Sequence, residues 1–207
     1  MVSIINTCKL ANWPIKIVAV IADRKCLAIE KAEDFFVPTY VLNYSSFKSS
    51  IFFNKELLHI INSLKADLIA MAGFMRILNS NVFGNKLSSF VNIHPSLLPA
   101  YPGLNTHRRA IDDKVKMHGA TVHSVTELLD SGPILSQGIV PVFEGDTVNS
   151  LSKRVMEIEV KLFPLAIAAI LSNKVTLINK NWVESEQKPS FSNFKFSKII
   201  YHPLYEN

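Results

Sequence analysis

Hydrophobic and polar positions follow two rhythms along this chain. IKIVAVIAD (15–23) is an almost unbroken apolar run of strand length that ends on a carboxylate, and ADLIAMAGF (66–74) and SFVNIHPS (89–96) repeat the pattern. Runs this short, rich in Val and Ile and apolar on both faces, predict strands buried inside a parallel sheet. Between the first two, Phe53, Leu57, Ile60, Ile61 and Leu64 recur at helical spacing within 52–64, the apolar stripe of a crossover helix. Further along, Thr121–Ser124 and Gln137–Val142 read as strands flanking a turn at Ser131-Gly132-Pro133. Asp146 or Thr147 can cap a helix whose apolar positions are Val148, Leu151, Val155, Ile158 and Leu162. Pro164 should kink or end that helix, although AIAAIL can resume it. Beyond Trp182 the alternation is weak, with Phe194 and Phe196 its clearest members, and it places nothing. Strands alternating with helices predict an α/β fold: a mostly parallel, Rossmann-like sheet with flanking helices.

Composition narrows this picture without redirecting it. A length of 207 residues suits one domain or two closely packed halves, and an apolar share of 48% with 19% charged is ordinary for a soluble globular chain. The net charge of +5 is mild and its basic residues are scattered. A nucleic-acid surface needs a denser stripe; a basic cleft that collects small anions fits at least as well. Cys8 and Cys26 have no metal-ligand spacing and read as free thiols of a reducing compartment. The opening MVSIINTCKL lacks the apolar core of a signal peptide and no run reaches membrane-spanning length, so the cytoplasm is expected.

The candidate chemistry gathers after residue 90. PSLLPAYPG (95–103) holds three prolines and a glycine, a stiff loop directly after a strand, where open α/β sheets place their ligands. Four of the six histidines, His94, His107, His118 and His123, lie nearby. His118 and His123 are five apart and would face opposite sides of one strand, and no cysteine is near, so no metal is expected. Asn92 and His94 are the better pair. Positions i and i+2 share one face of a strand, so an amide donor and an imidazole project together while Val91 and Ile93 pack on the other side. That pairing suits holding an oxyanion and moving a proton, but a strand-end pair that merely satisfies the loop backbone fits the pattern too. Asp130 is either an ordinary first residue of the Ser131-Gly132-Pro133 turn or a carboxylate that reaches His94 and stabilises its imidazolium. Glu159, at the edge of the 148–162 stripe, is either solvated or aimed into a cleft at an amino group.

The run NIHPSLLPAYPGLNTHRRAI (92–111), followed by HGATVHSVTELLDSGPIL (118–135), resembles the signature region of phosphoribosylglycinamide formyltransferases. AGFMRIL (72–78), VPVFEGDT (140–147) and the Glu159 helix are similar to further segments of that family, in order and at matching spacing. The likeness runs from about Ile4 to Leu171, and YPGLNTH sets it apart from the methionyl-tRNA formyltransferases. It implies transfer of a formyl group from 10-formyltetrahydrofolate, a co-substrate, to the amine of the glycinamide nucleotide, without a metal. Asn92, His94 and Asp130 would be catalytic. Met75, Arg76, Ile77 and Leu78, with Asn92 and Thr126, Glu127, Leu128, Leu129 and Asp130, would bind folate. Pro95, Met156 and Glu159 would meet the nucleotide. The implied organisation is one formyltransferase domain, with a nucleotide half at about 1–86, a folate and catalytic half at about 87–185, a site between them and a tail from 186. The partners would be these small molecules, not nucleic acid or membrane, for a monomer or homodimer. A formyltetrahydrofolate hydrolase and a non-catalytic folate-binding module are the rival readings.

Two departures from the family pattern stand out. Ser50 takes the place of a folate-contacting arginine, with Lys48 the nearest cation. The family opens with a strand and a glycine-rich phosphate loop, whereas the first glycine here is Gly73 and Met1–Leu10 aligns with the helix that follows the loop. The expectations are a start assigned too late or a chain that binds the nucleotide feebly, with a gap or a bare strand edge where the family's first strand would lie.

Overall fold

The structure is a computed structural model and describes residues 1–207 apart from 75, 77, 85–88, 174, 179, 180, 185–196 and 203–207. Its elements in chain order are α1 (Val2–Leu10), β1 (Ile15–Ala22), α2 (Leu27–Asp34), β2 (Thr39–Val41), α3 (Ser50–Leu64), β3 (Leu68–Ala72), α4 (Ser80–Phe83), β4 (Phe90–His94), α5 (Thr106–Asp112), β5 (Met117–Ser124), β6 (Ile134–Pro141), α6 (Val148–Leu171), β7 (Val175–Ile178), β8 (Asn181–Glu184) and β9 (Ser197–His202). They fall into two compact units, Met1–Val91 with Ser190–Asn207, and Asn92–Pro189.

The first unit is a parallel α/β layer with strand order β2-β1-β9-β3. Every residue of β3 is buried, as are Ala19 to Ala22 of β1, which is what apolar runs covered on both faces require. Helix α3 buries Phe53, Leu57 and Ile61, one side chain per turn, and Tyr44 and Phe47 set their rings edge-on to Phe53 at 5.0 and 5.5 Å. The buried Asn54 amide donates to the Ser50 carbonyl and accepts the Asn79 N–H, which ties α3 to the start of α4.

The five expected strands lie close to their predicted places, whereas β2, β7, β8 and β9 were not foreseen. β9 runs parallel to β1 from Ile15↔Ser197 to Val20↔Tyr201, and parallel to β3 from Leu68↔Ile199 to Met71↔His202. The expected gap or bare edge beside β1 and β3 is therefore corrected: a strand from the tail fills the space. Backbone groups of β1 and β3 that would otherwise lack partners inside the layer are paired by it.

The second unit begins within β4 and has strand order β4-β5-β6, with β5 and β6 antiparallel from Met117↔Pro141 to His123↔Ile134. Strand β5 starts four residues before the expected Thr121. Thr147 caps α6 in a reciprocal capping box with Ser150, and Asp146 instead takes a two-pronged bond from Arg154 at 2.8 and 2.9 Å. That pair, with the Phe143 and Ser150 donors, holds the Asp146 carboxyl well below its ordinary range. Helix α6 continues through Pro164 to Leu171. Gly138 lets it lie against β6, since a Cβ there would overlap Ile158. Among the described residues no helix is long and apolar enough to cross a membrane.

Removing 190–207 should be costly. Backbone hydrogen bonds on both sides of β9 would be lost at about 0.5–1.5 kcal/mol each, roughly 5 kcal/mol together and a large part of a domain's stability. The melting midpoint of the truncated chain is expected to fall by about 10 °C or more. An unchanged midpoint would show that β9 contributes nothing to the layer.

Candidate active site

Strand β4 delivers the first two functional side chains. Val91 and Ile93 are buried, while the alternate positions carry Asn92, half-buried, and His94. The chain then enters the proline-rich loop, which polar contacts brace throughout. The Thr121 hydroxyl, fully buried on β5, donates to the Ser96 carbonyl at 2.7 Å and accepts the Leu98 N–H at 3.0 Å. Gln137, its cross-strand partner, donates to that hydroxyl and to the Leu98 carbonyl at 2.9 and 2.8 Å. Ser96 Oγ donates to the carbonyls of Ala100 and Tyr101, and Thr106 Oγ1 donates to that of Pro95.

This bracing fixes the Tyr101 carbonyl 2.9 Å from His94 Nε2. A carbonyl only accepts, so Nε2 carries a proton. His94 Nδ1 lies 3.4 Å from Asp130 Oδ2, which also accepts the Gly103 N–H at 2.8 Å. Asp130 sits at φ +48°, the left-handed conformation that turns its carboxylate back over the loop. Its other oxygen is 3.8 Å from His123 Nε2, and the Asn92 amide lies 3.1 Å from that same nitrogen. One unit thus brings together Asn92, His94 and Asp130, as the sequence motif predicts, and adds His123. Sequence reasoning treated His123 only as a metal candidate; the neighbouring of β4 and β5, which no spacing along the chain reveals, is what joins it to Asn92.

The other two clustered histidines face each other, His118 Nε2 to His107 Nδ1 at 3.1 Å. Burial and their mutual repulsion push His107 down to about 4, and burial lowers His118 as well. Both are neutral packing groups, His118 set edge-on to the Tyr101 ring and His107 edge-on to His118.

Glu159 departs from its expected edge position. It lies on the buried stripe Leu151–Val155–Glu159–Phe163 of α6, only 8% exposed, and its Oε1 has no hydrogen-bond partner among the described residues. Burial pushes its carboxyl up to about 7. A buried acceptor left unpaired calls for an explanation, and a bound ligand is one of those it admits. On the same helix Met156 is exposed, and Pro95 is half-buried. In the loop before Asp130, Glu127, Leu128 and Leu129 are exposed, the two leucines at 71% and 67%, and Thr126 Oγ1 donates to the Leu128 carbonyl. In the first unit, Arg76 bonds Asp23 at 3.0 Å and lies over the Tyr44 ring. Leu78 is buried against a small apolar cavity of about 20 Å³ lined also by Leu57, Met71, Phe74 and Phe90. Met75 and Ile77 lie outside the described residues.

The formyl transferase family matches residues 1–167. The chain is 35% identical over 189 residues to phosphoribosylglycinamide formyltransferase of Escherichia coli, covering 90% of this chain and 89% of that protein. The protein of the same name from Bacillus subtilis is 32% identical over 82% of this chain and 87% of its own length. Among solved structures, glycinamide ribonucleotide transformylase 1 from Symbiobacterium toebii superposes with a TM-score of 0.84 at 32% identity, covering 89% of this chain and 87% of that one.

Two stability outcomes follow from the geometry. Thr121→Val removes the hydroxyl and strands buried partners, so denaturant unfolding should show a loss of roughly 2–4 kcal/mol; a loss below about 0.5 kcal/mol would mean that the brace is idle. Glu159, raised in the folded state above an ordinary value of 4.5, releases its proton more readily when unfolded. Its contribution is therefore best at low pH and declines as pH rises from about 4.5 to about 7, on the order of 3 kcal/mol in all. Glu159→Gln should flatten that decline, gaining more stability at pH 8 than at pH 5. An equal effect at both pH values would contradict the assignment.

Proposed function

The chain belongs to the formyl transferase family, and from this we infer that it transfers a formyl group from 10-formyltetrahydrofolate to the amine of 5′-phosphoribosylglycinamide, a step of de novo purine biosynthesis. The observation that carries the reading is the convergence of Asn92, His94 and Asp130 from a strand end and a turn onto one braced loop. The names of its relatives support the choice of acceptor.

In this mechanism the glycinamide amine attacks the formyl carbon and the carbonyl oxygen becomes an oxyanion. Asn92 donates to it through a free N–H, and protonated His94 stabilises it. Because His94 Nε2 is engaged by the Tyr101 carbonyl at 2.9 Å, Nδ1, only loosely opposed by Asp130 at 3.4 Å, is the nitrogen that exchanges a proton with the reacting groups. The attacking nitrogen loses a proton and the folate nitrogen gains one as the C–N bond to folate breaks. The products are tetrahydrofolate and the formylated glycinamide nucleotide. Asp130, 3.4 Å from Nδ1, holds the ring in place. The exposed leucines of Thr126–Asp130, with Met75, Arg76, Ile77 and Leu78, would hold the folate. Glu159 would offer its unpaired oxygen to the nucleotide, near Pro95 and Met156. The same reading assigns the nucleotide to about 1–86 and folate and catalysis to about 87–185, in a cytoplasmic enzyme working as a monomer or homodimer.

The acceptor decides between transfer and hydrolysis. Formyl loss from 10-formyltetrahydrofolate should depend on added phosphoribosylglycinamide; equal loss without the nucleotide would make the chain a hydrolase instead. His94→Ala and Asn92→Ala are each expected to lower turnover by roughly a hundredfold to a thousandfold, with folate binding nearly kept. Intact transfer in His94→Ala would overturn the mechanism.

A further inference from the structure

His123 closes β5 with its ring buried, and the partners of its two nitrogens determine where its proton sits. Nδ1 is 2.9 Å from the Ser124 carbonyl, which can only accept, so Nδ1 bears hydrogen. Burial holds the ring below its ordinary value, against the pull of the Ser124 carbonyl and Asp130, and the charge of His94 pushes the same way as burial. The ring is therefore neutral and its Nε2 presents a lone pair. The Asn92 amide is 3.1 Å from that lone pair, and only an amide nitrogen can satisfy it. Turning the amide over would set its oxygen against the lone pair.

We propose that His123 is a positioning residue for the formyl transfer inferred above: its Nε2 orients the Asn92 amide so that the second amide N–H faces the developing oxyanion. An asparagine amide has two hydrogens on one nitrogen. The histidine takes one, which leaves the other as a donor of fixed direction on a half-buried side chain. The last torsion of asparagine is broad and roughly two-fold, so without the acceptor the amide presents oxygen as readily as nitrogen. An oxygen there would repel the oxyanion. Asp130, 3.8 Å from Nε2, is too far to hydrogen-bond that nitrogen, which is left to the Asn92 amide at 3.1 Å.

The test compares His123→Gln, whose carbonyl oxygen can replace the Nε2 acceptor, with His123→Leu, which keeps bulk without an acceptor. His123→Leu should lower kcat by roughly ten- to a hundredfold, less than the full loss of a donor, with KM changed little. His123→Gln should recover most of that. The double variant Asn92→Ala with His123→Leu should be no slower than Asn92→Ala alone, because both remove one interaction. Equal kcat in the Gln and Leu variants, or additive losses in the double variant, overturns the proposal. Should His123→Leu fail to fold, His123→Phe takes its place as the acceptor-free variant. The Asn92 side-chain NH₂ resonances supply a readout that needs no turnover: protected from exchange in wild type and His123→Gln, unprotected in His123→Leu. If all three exchange alike, the hydrogen bond is not there. A wild-type chain that forms no formylated nucleotide, yet shows the expected protection pattern, sinks the functional reading and leaves the hydrogen bond standing.

Discussion

The carboxylate of Asp130 is the constraint around which the second unit is arranged. A charge nearly shut off from water must be met by donors or opposite charge, or it costs several kcal/mol. The Gly103 N–H meets one oxygen at 2.8 Å and His94 faces the same oxygen. Both contacts depend on the loop at 95–103 lying where it does, and the loop depends in turn on Thr121, Gln137, Ser96 and Thr106. The packing of β5 against β6 is thus transmitted to His94 and Asp130 through backbone groups of the loop rather than through apolar contact. A shift of Tyr101 would release His94, and a shift of Gly103 would release Asp130.

Four histidines occupy this region, and burial sorts them. Desolvation lowers His107, His118 and His123, and a charge on His94 lowers each of them further. His94 faces an acceptor on each side, the Tyr101 carbonyl at 2.9 Å and the Asp130 carboxylate at 3.4 Å. The other three serve as shaped neutral groups: His118 packs against Tyr101 with His107 behind it, and His123 reads the orientation of Asn92. The clustering along the sequence is, in space, a division of labour set by dielectric and partner.

How much of this the sequence discloses depends on whether the deciding interaction is local. The strands at 15–22 and 68–72 are legible because their apolar runs are nearly continuous and mostly buried, and the one at 90–94 because apolar Val91 and Ile93 alternate with Asn92 and His94. Asn92, His94 and Asp130 are legible from the motif, and the i, i+2 spacing explains the first two. Glu159 can be picked out but not placed, since a helix edge and a buried stripe differ by a small rotation that only packing on Gly138 settles. His123 is hidden because its partner comes from another strand. Strand β9 is hidden for a stronger reason: nothing in the weak alternation after Trp182 specifies what it pairs with.

That last contrast separates the two units physically. The cluster around Asn92, His94 and Asp130 is assembled from Asn92 to Gln137, so its loops close over a few tens of residues. The parallel layer of the first unit joins Ile15 to Ser197 and Leu68 to Ile199, across most of the chain. Loop-closure entropy rises with separation and must be met before the pairing rewards it, so non-local parallel ladders form late. The second unit's site therefore has the shorter route to its native contacts. The first unit's sheet has to wait for a strand that follows every other element in the sequence, and the interior positions of β1 and β3 lack their common neighbour until it arrives.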